Sequence, residues 1–172
     1  MSNRPVYIMV DVETDGPTPS DYSMISIGAV VIEPGLERTF YGQLQPISSR
    51  FEPAALRVSG TSRDQSMSYP YAGTTMRAFG EWIADIEGTP RFVSDNAGFD
   101  WMFVCWYFHH FTNSGCPFGH SPLSLTSLHK GFQHSLTASL RDARKTELTH
   151  HPVEDAKANA KVFLRMFALE IG

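Results

Sequence analysis

Apolar residues run along this chain in two rhythms, short unbroken runs near the N-terminus and helically spaced stripes further on. Arg4 to Val10 (R-P-V-Y-I-M-V) is short, β-branched and aromatic and carries Pro5 near its start, which reads as a buried strand. Gly16 to Asp21 is a turn or loop by composition. Ser23 to Ile32 then reads as a second strand, ended by Pro34-Gly35. Arg38 to Leu44 alternates roughly and reads as a third, so the opening is expected to be an antiparallel meander. Pro53 to Val58 suits a short helix, with Pro at its start and Gly60 just beyond its end. In the segment Tyr71 to Ile86, Met76, Phe79, Ile83 and Ile86 recur every three or four residues, a core-facing helical stripe. Gly88-Thr89-Pro90 breaks it, and Arg91 to Ser94 reads as another buried strand. Asp95 to Asp100 opens a segment, Trp101 to Phe108, that is apolar on every side. Such a helix is either buried all round or shared with an interface, and a homodimer is the second of these readings. Leu123 to Leu128 is expected as a short strand and Ser135 to Lys145 as a solvated helix face. Val153 to Leu169 reads as a helix with Pro152 suited to its first position and Ala156, Ala160, Phe163 and Phe167 as its core stripe. Strands first, then strands and helices mixed, predict an α/β domain around a mixed sheet.

Composition narrows the picture. A chain of 172 residues most naturally forms one domain, 1–172, with a full core, and 42% hydrophobic with 19% charged residues is a soluble globular profile. A net charge of -4 argues against wrapping long duplex nucleic acid, though not against gripping one strand end through metal ions. Cys105 and Cys116 lie in no metal-ligand spacing and read as free thiols of a cytoplasmic protein. No run has the form of a signal peptide or the length to span a membrane.

Chemistry enters at Asp11-Val12-Glu13-Thr14-Asp15-Gly16, at the end of the first apolar run. Strand side chains alternate faces, so Asp11 and Glu13 project to the same side. Two crowded carboxylates repel and need positive charge; either they mark a solvated strand end, or they hold a hard divalent cation. Asp100 sits where a strand passes into a helix, a position that faces a cleft at the sheet edge. Asp155 lies in the first turn of the last helix, with His150 five residues earlier, in a loop beside the helix start. Arg141, Arg144 and Lys145 form a local basic cluster.

D-V-E-T-D-G at 11–16, N-A-G-F-D at 96–100 and H-H-P-V-E-D-A at 150–156 resemble, in order, the three motifs of the DEDDh exonucleases, 3′-5′ exonucleases on an RNase H-like fold. Ile25 to Val30 is similar to that family's second strand, so the resemblance covers nearly the whole chain. It implies an RNase H-like mixed β-sheet flanked by helices. The implied activity is hydrolysis of phosphodiester bonds from the 3′ end of single-stranded RNA or DNA, RNA favoured, releasing nucleoside 5′-monophosphates. It implies two divalent cations, Mg²⁺ or Mn²⁺, held by Asp11, Glu13, Asp100 and Asp155, with Asp11 bridging both. Glu13 and Asp155 would complete the shell of the ion that holds the attacking water, and Asp100 would serve the other. His150 would take the water's proton, and it rather than His151 gives the family's H-x-x-x-x-D spacing. The backbone around Val12 and Thr14 would meet the 3′-terminal nucleotide, with Asn96 a further contact, and the basic cluster would grip phosphates upstream. The chain departs from a common family form at Asp95, where a histidine is usual; an extra carboxylate there either faces solvent or presses on the metal site. A binding module without catalysis on the same fold, and a hydrolase of dinucleotides or small nucleotides, are the rival functions.

Overall fold

The computed structural model describes residues 4–167. In chain order the elements are β1 (Pro5–Thr14), β2 (Met24–Val31), β3 (Thr39–Gln43), α1 (Pro53–Val58), α2 (Arg63–Met67), α3 (Ala72–Ala84), β4 (Thr89–Ser94), α4 (Ala97–Phe111), β5 (Leu123–Ser124), α5 (Leu125–Phe132), α6 (Leu140–Arg144) and α7 (Pro152–Phe167). The five strands form one sheet in the order β3-β2-β1-β4-β5. The expected meander is present: β2 runs antiparallel to both β1 and β3, whereas β4 is parallel to β1 and β5. Among the described residues no helix is long and apolar enough to cross a membrane.

Strand β1 lies in the middle of the sheet with a hydrophobic cluster on each face. Ile8, Val10 and Val12 join Met76, Phe79, Phe103 and Phe108 on one side. Met9, with Tyr7 against it, joins Ala156, Ala160 and Phe163 on the other. Alternation therefore sends Tyr7, Met9, Asp11 and Glu13 to the α7 face and the even-numbered residues to the α3/α4 face. That a central strand is apolar on both faces explains why its pattern is a run rather than an alternation.

Helix α7 reaches the sheet at one point without a side chain. Asp11 pairs with Gly28 on β2, and a Cβ on Gly28 would stand 2.3 Å from the Pro152 carbonyl carbon and the Val153 nitrogen. Only a glycine lets the first turn of α7 lie directly on β2, beside the strand that carries Asp11. Gly28→Ala is expected to destabilise the fold by about 1–3 kcal/mol through overpacking. It should also lift Asp155 away from Asp11, so loss of activity should exceed the loss of folded protein measured by thermal melting at the assay temperature.

Four expectations need correction. Strand β1 runs on to Thr14, beyond the apolar run that ends at Val10, so it takes in Asp11 and Glu13. Helix α2 was not anticipated, although Ser62-Arg63-Asp64-Gln65 has capping-box spacing and the Ser62 hydroxyl accepts the Gln65 N–H at 3.1 Å. The strand expected over Leu123 to Leu128 pairs with β4 at only two residues, because the Ser124 hydroxyl accepts the Ser127 N–H at 3.2 Å and starts α5. The segment Ser135 to Lys145 is helical only over α6, Leu140–Arg144. The end of the last helix at Leu169 lies outside the described residues.

Candidate active site

Three elements deliver the acidic residues to one place, and a loop adds a histidine. Asp11 and Glu13 come from β1. Asp100 comes from the first turn of α4, which forms as the Asn96 carbonyl accepts the N–H groups of Phe99 and Asp100 at 2.9 and 3.2 Å. Asp155 comes from the first turn of α7, and the loop before α7 brings His150. Pairing between β1 and β4 stops at Met9 and Val93, so the ladder ends just before the acidic residues of β1.

Asp155 is buried and its carboxylate folds back over the loop before its own helix. One oxygen accepts the Thr149 N–H at 2.7 Å and the Thr149 hydroxyl at 2.9 Å, and the other accepts the His150 N–H at 2.8 Å. These bonds tie the loop just before α7 back onto the helix's first turn. They also hold His150 in the left-handed region, at φ +59°. From there its Nδ1 stands 3.8 Å from Glu13 Oε1. Ligand atoms of Glu13, His150 and Asp155 all lie within 4.8 Å of one another. His151 points elsewhere and stacks on Tyr41 of β3 with ring centroids 4.9 Å apart.

The charges facing these carboxylates are chiefly their own. Burial, then the charges of Asp155 and Asp100, pushes Glu13 up to about 7. Burial pushes Asp100 up to about 7, against the pull of Ser94 and the Val12 N–H and with Asp95 adding to the rise. Asp11 is held well above the ordinary carboxylate range by burial first, then by Asp100, Glu13, Asp155 and Asp95. The donor set is carboxylate oxygen with one imidazole nitrogen, which fits hard divalent cations, and a cation relieves the repulsion that holds these acids up.

A sign follows for stability. Groups whose folded pKa is raised hold protons that the unfolded chain releases, so their stabilising contribution is complete below about pH 4 and is lost as pH rises through about 7. The metal-free protein should therefore melt at progressively lower temperature from pH 5 to pH 8. Saturating Mg²⁺ or Mn²⁺ should reverse the fall at the alkaline end, by about 2.7 kcal/mol at a hundred times Kd. A melting curve indifferent to metal at pH 8 would count against a cation site.

Asp95 does not face open solvent. Its carboxylate accepts from Arg144 Nη1 at 2.7 Å and from the Thr126 hydroxyl at 2.5 Å, while its charge still bears on Asp11 and Asp100. Arg144 is consequently turned inward and not part of a phosphate-gripping surface, and Arg141 is paired with Glu147. Of the remaining residues singled out, Val12 and Thr14 are buried, the Thr14 hydroxyl donates to the Gly16 carbonyl at 2.9 Å, and Asn96 is exposed. The sequence reading missed the role of Arg144 and its second partner Asn159, which accepts from Arg144 Nη1 at 3.0 Å. An uncharged polar residue on the apolar stripe of α7 was the available signal.

Comparison with known proteins places this geometry. The family described as "3′-5′ exoribonuclease Rv2179c-like domain" matches residues 6–167. The 3′-5′ DNA exonuclease Cap18 of Escherichia coli is 36% identical over 177 residues, covering 94% of this chain and 91% of that protein. The nuclease domain of 3′hExo, a DEDDh family member bound to rAMP, aligns with a TM-score of 0.77 at 15% identity, covering 96% of this chain and 93% of that one. A 3′-exonuclease from a structure titled for 3′-end-specific recognition of the histone mRNA stem-loop aligns with a TM-score of 0.77 at 14% identity. That alignment covers 99% of this chain but 66% of the other. The two structural likenesses show an RNase H-like mixed sheet with flanking helices.

Proposed function

The chain belongs to the family of Rv2179c-like 3′-5′ exoribonuclease domains and is a 3′-5′ exonuclease of DEDDh type, and we propose that it shortens single-stranded nucleic acid, releasing nucleoside 5′-monophosphates with the help of two divalent cations, Mg²⁺ or Mn²⁺. The convergence of Glu13, His150 and Asp155 within 4.8 Å, beside Asp11 and Asp100, carries this reading. Such a pair of ions supplies charge to the developing transition state and lowers the pKa of a bound water. Asp11, which interacts with all three other acids, would contact both ions. Glu13 and Asp155 would serve one and Asp100 the other. His150, exposed on one side and facing Glu13 on the other, is placed to take the proton of the attacking water. The backbone at Val12 and Thr14 and the exposed side chain of Asn96 would bound the terminal nucleotide.

RNA is the first substrate reading, since the matching family is described as exoribonuclease. DNA is the second, favoured by a relative that is 36% identical and named a DNA exonuclease. A homodimer through the partly exposed side of α4, where Trp101, Met102, Cys105 and Trp106 lie, is also proposed, and light scattering at micromolar concentration tests it. The decisive assay follows 5′-labelled single-stranded RNA and DNA with Mn²⁺ or Mg²⁺, beside an EDTA control. A ladder shortening from the 3′ end, abolished by EDTA, supports the reading, and the faster substrate names the sugar. Cleavage confined to dinucleotides would replace it with a small-nucleotide hydrolase.

A further inference from the structure

We propose that Arg144 is a positioning residue that sets the two halves of the catalytic centre against each other, an inference that rests on the metal-dependent reading above. A single nitrogen makes the link: Nη1 donates to Asp95 Oδ2 at 2.7 Å and to Asn159 Oδ1 at 3.0 Å. Asp95 directly follows β4 and stands five residues before Asp100. Its other oxygen is held by Thr126 of α5 at 2.5 Å. Asn159 lies four residues after Asp155, one turn along the same face of α7. Arg144 therefore bridges the root of the helix that carries Asp100 and the helix that carries Asp155.

The same residue ends α6, and the loop from 145 to 151 leaves from it towards Thr149 and His150, both bonded to the Asp155 carboxylate. Both sides of the site thus share one anchor. Its charge matters as well, because the guanidinium faces an Asp95 carboxylate that bears on Asp11 and Asp100. The arrangement is not there for stability alone. Arg144 Nε and Asn159 Nδ2 are buried with no partner among the described residues, and an unmet buried donor is costly. Apolar residues of like volume would pack here at less cost, which points to a geometric duty.

Arg144→Met and Arg144→Lys test this, read by steady-state kinetics on an oligonucleotide, by Mn²⁺ binding in calorimetry and by thermal melting. Arg144→Met should lower kcat and Mn²⁺ affinity by about 10–100-fold each, the usual effect of losing an outer partner of a metal site, with KM for the oligonucleotide unchanged. Arg144→Lys, whose ammonium can face both oxygens, should recover most of that loss. A raised KM with a shallower salt dependence and an intact kcat would make Arg144 a phosphate contact and overturn the inference. So would a lowered melting temperature with kcat and Mn²⁺ affinity unchanged. If Arg144→Met does not fold, Asp95→Asn reads the same link, and unaltered Mn²⁺ affinity there is also fatal. Wild-type protein that binds Mn²⁺ no better than Arg144→Met while still cleaving leaves the exonuclease reading intact and removes only this one. Wild-type protein that neither binds Mn²⁺ nor cleaves removes both.

Discussion

Asp11→Asn is expected to cut exonuclease activity by about 10⁴-fold, roughly 5 kcal/mol of transition-state stabilisation, while making the metal-free protein more stable. Both effects have one cause. Asp11 is desolvated and faces Asp100, Glu13, Asp155 and Asp95, so its charge would serve a bound cation and opposes the metal-free fold. Asparagine keeps the shape of the protonated acid and removes the charge. The gain should be about 1–2 kcal/mol, or ~2–6 °C in melting temperature at pH 8, and should vanish when Mn²⁺ is added to both proteins. Melting curves with and without Mn²⁺, run beside the activity assay, check it. A destabilised Asp11→Asn would mean that the carboxylate is held by partners in the metal-free fold and is not poised for an ion.

His150→Asn should lower kcat by about 10²–10⁴-fold with Mn²⁺ affinity within a few-fold of wild type. Asparagine is the informative replacement because it tolerates the left-handed backbone that His150 adopts at φ +59° and cannot accept the water's proton at neutral pH. The His150 N–H that donates to Asp155 is retained, so the loop should keep its course. The geometry allows one rival: His150 lies close enough to Glu13 and Asp155 to be a ligand itself. Calorimetric titration separates the two. Loss of Mn²⁺ binding in step with kcat would assign the imidazole to the metal shell and leave another group to take the proton.

The framework of this fold was legible in the chain because its strands and its longer helices are marked by composition. The run before Asp11, the run from Ser23 to Ile32 and the Met76-Phe79-Ile83 stripe each became the element they suggested. The three motifs were legible as well, since each couples a carboxylate to a strand end or a helix start. What escaped was decided by partners distant in sequence. Arg144 reads as a surface cation next to Arg141 and Lys145, and the approach of Asp95, 49 residues away, together with Asn159 turns it inward. Asp15 belongs to the same motif string as Asp11 and Glu13 yet is buried and paired with Arg63 at 2.8 Å, so it ties the chain after β1 to α2. Its carboxyl is still pushed up by burial, against the pull of Ser23 and Arg63. Short helices such as α2 and α6 were missed or misplaced because five residues hold too little of a helical period to show one.

The bare glycine surface at Gly28 bears on when the enzyme can first act during its own synthesis. Strands β1 and β2, with two of the four acids, are made early, but they wait for α7 to settle on that glycine before Asp155 and His150 arrive. A nascent chain that stops short of α7 holds a partial set of carboxylates, without Asp155 to bond the His150 N–H, and a strip of β2 left uncovered. Hydrolysis by the proposed centre would thus have to wait until the chain has emerged through α7.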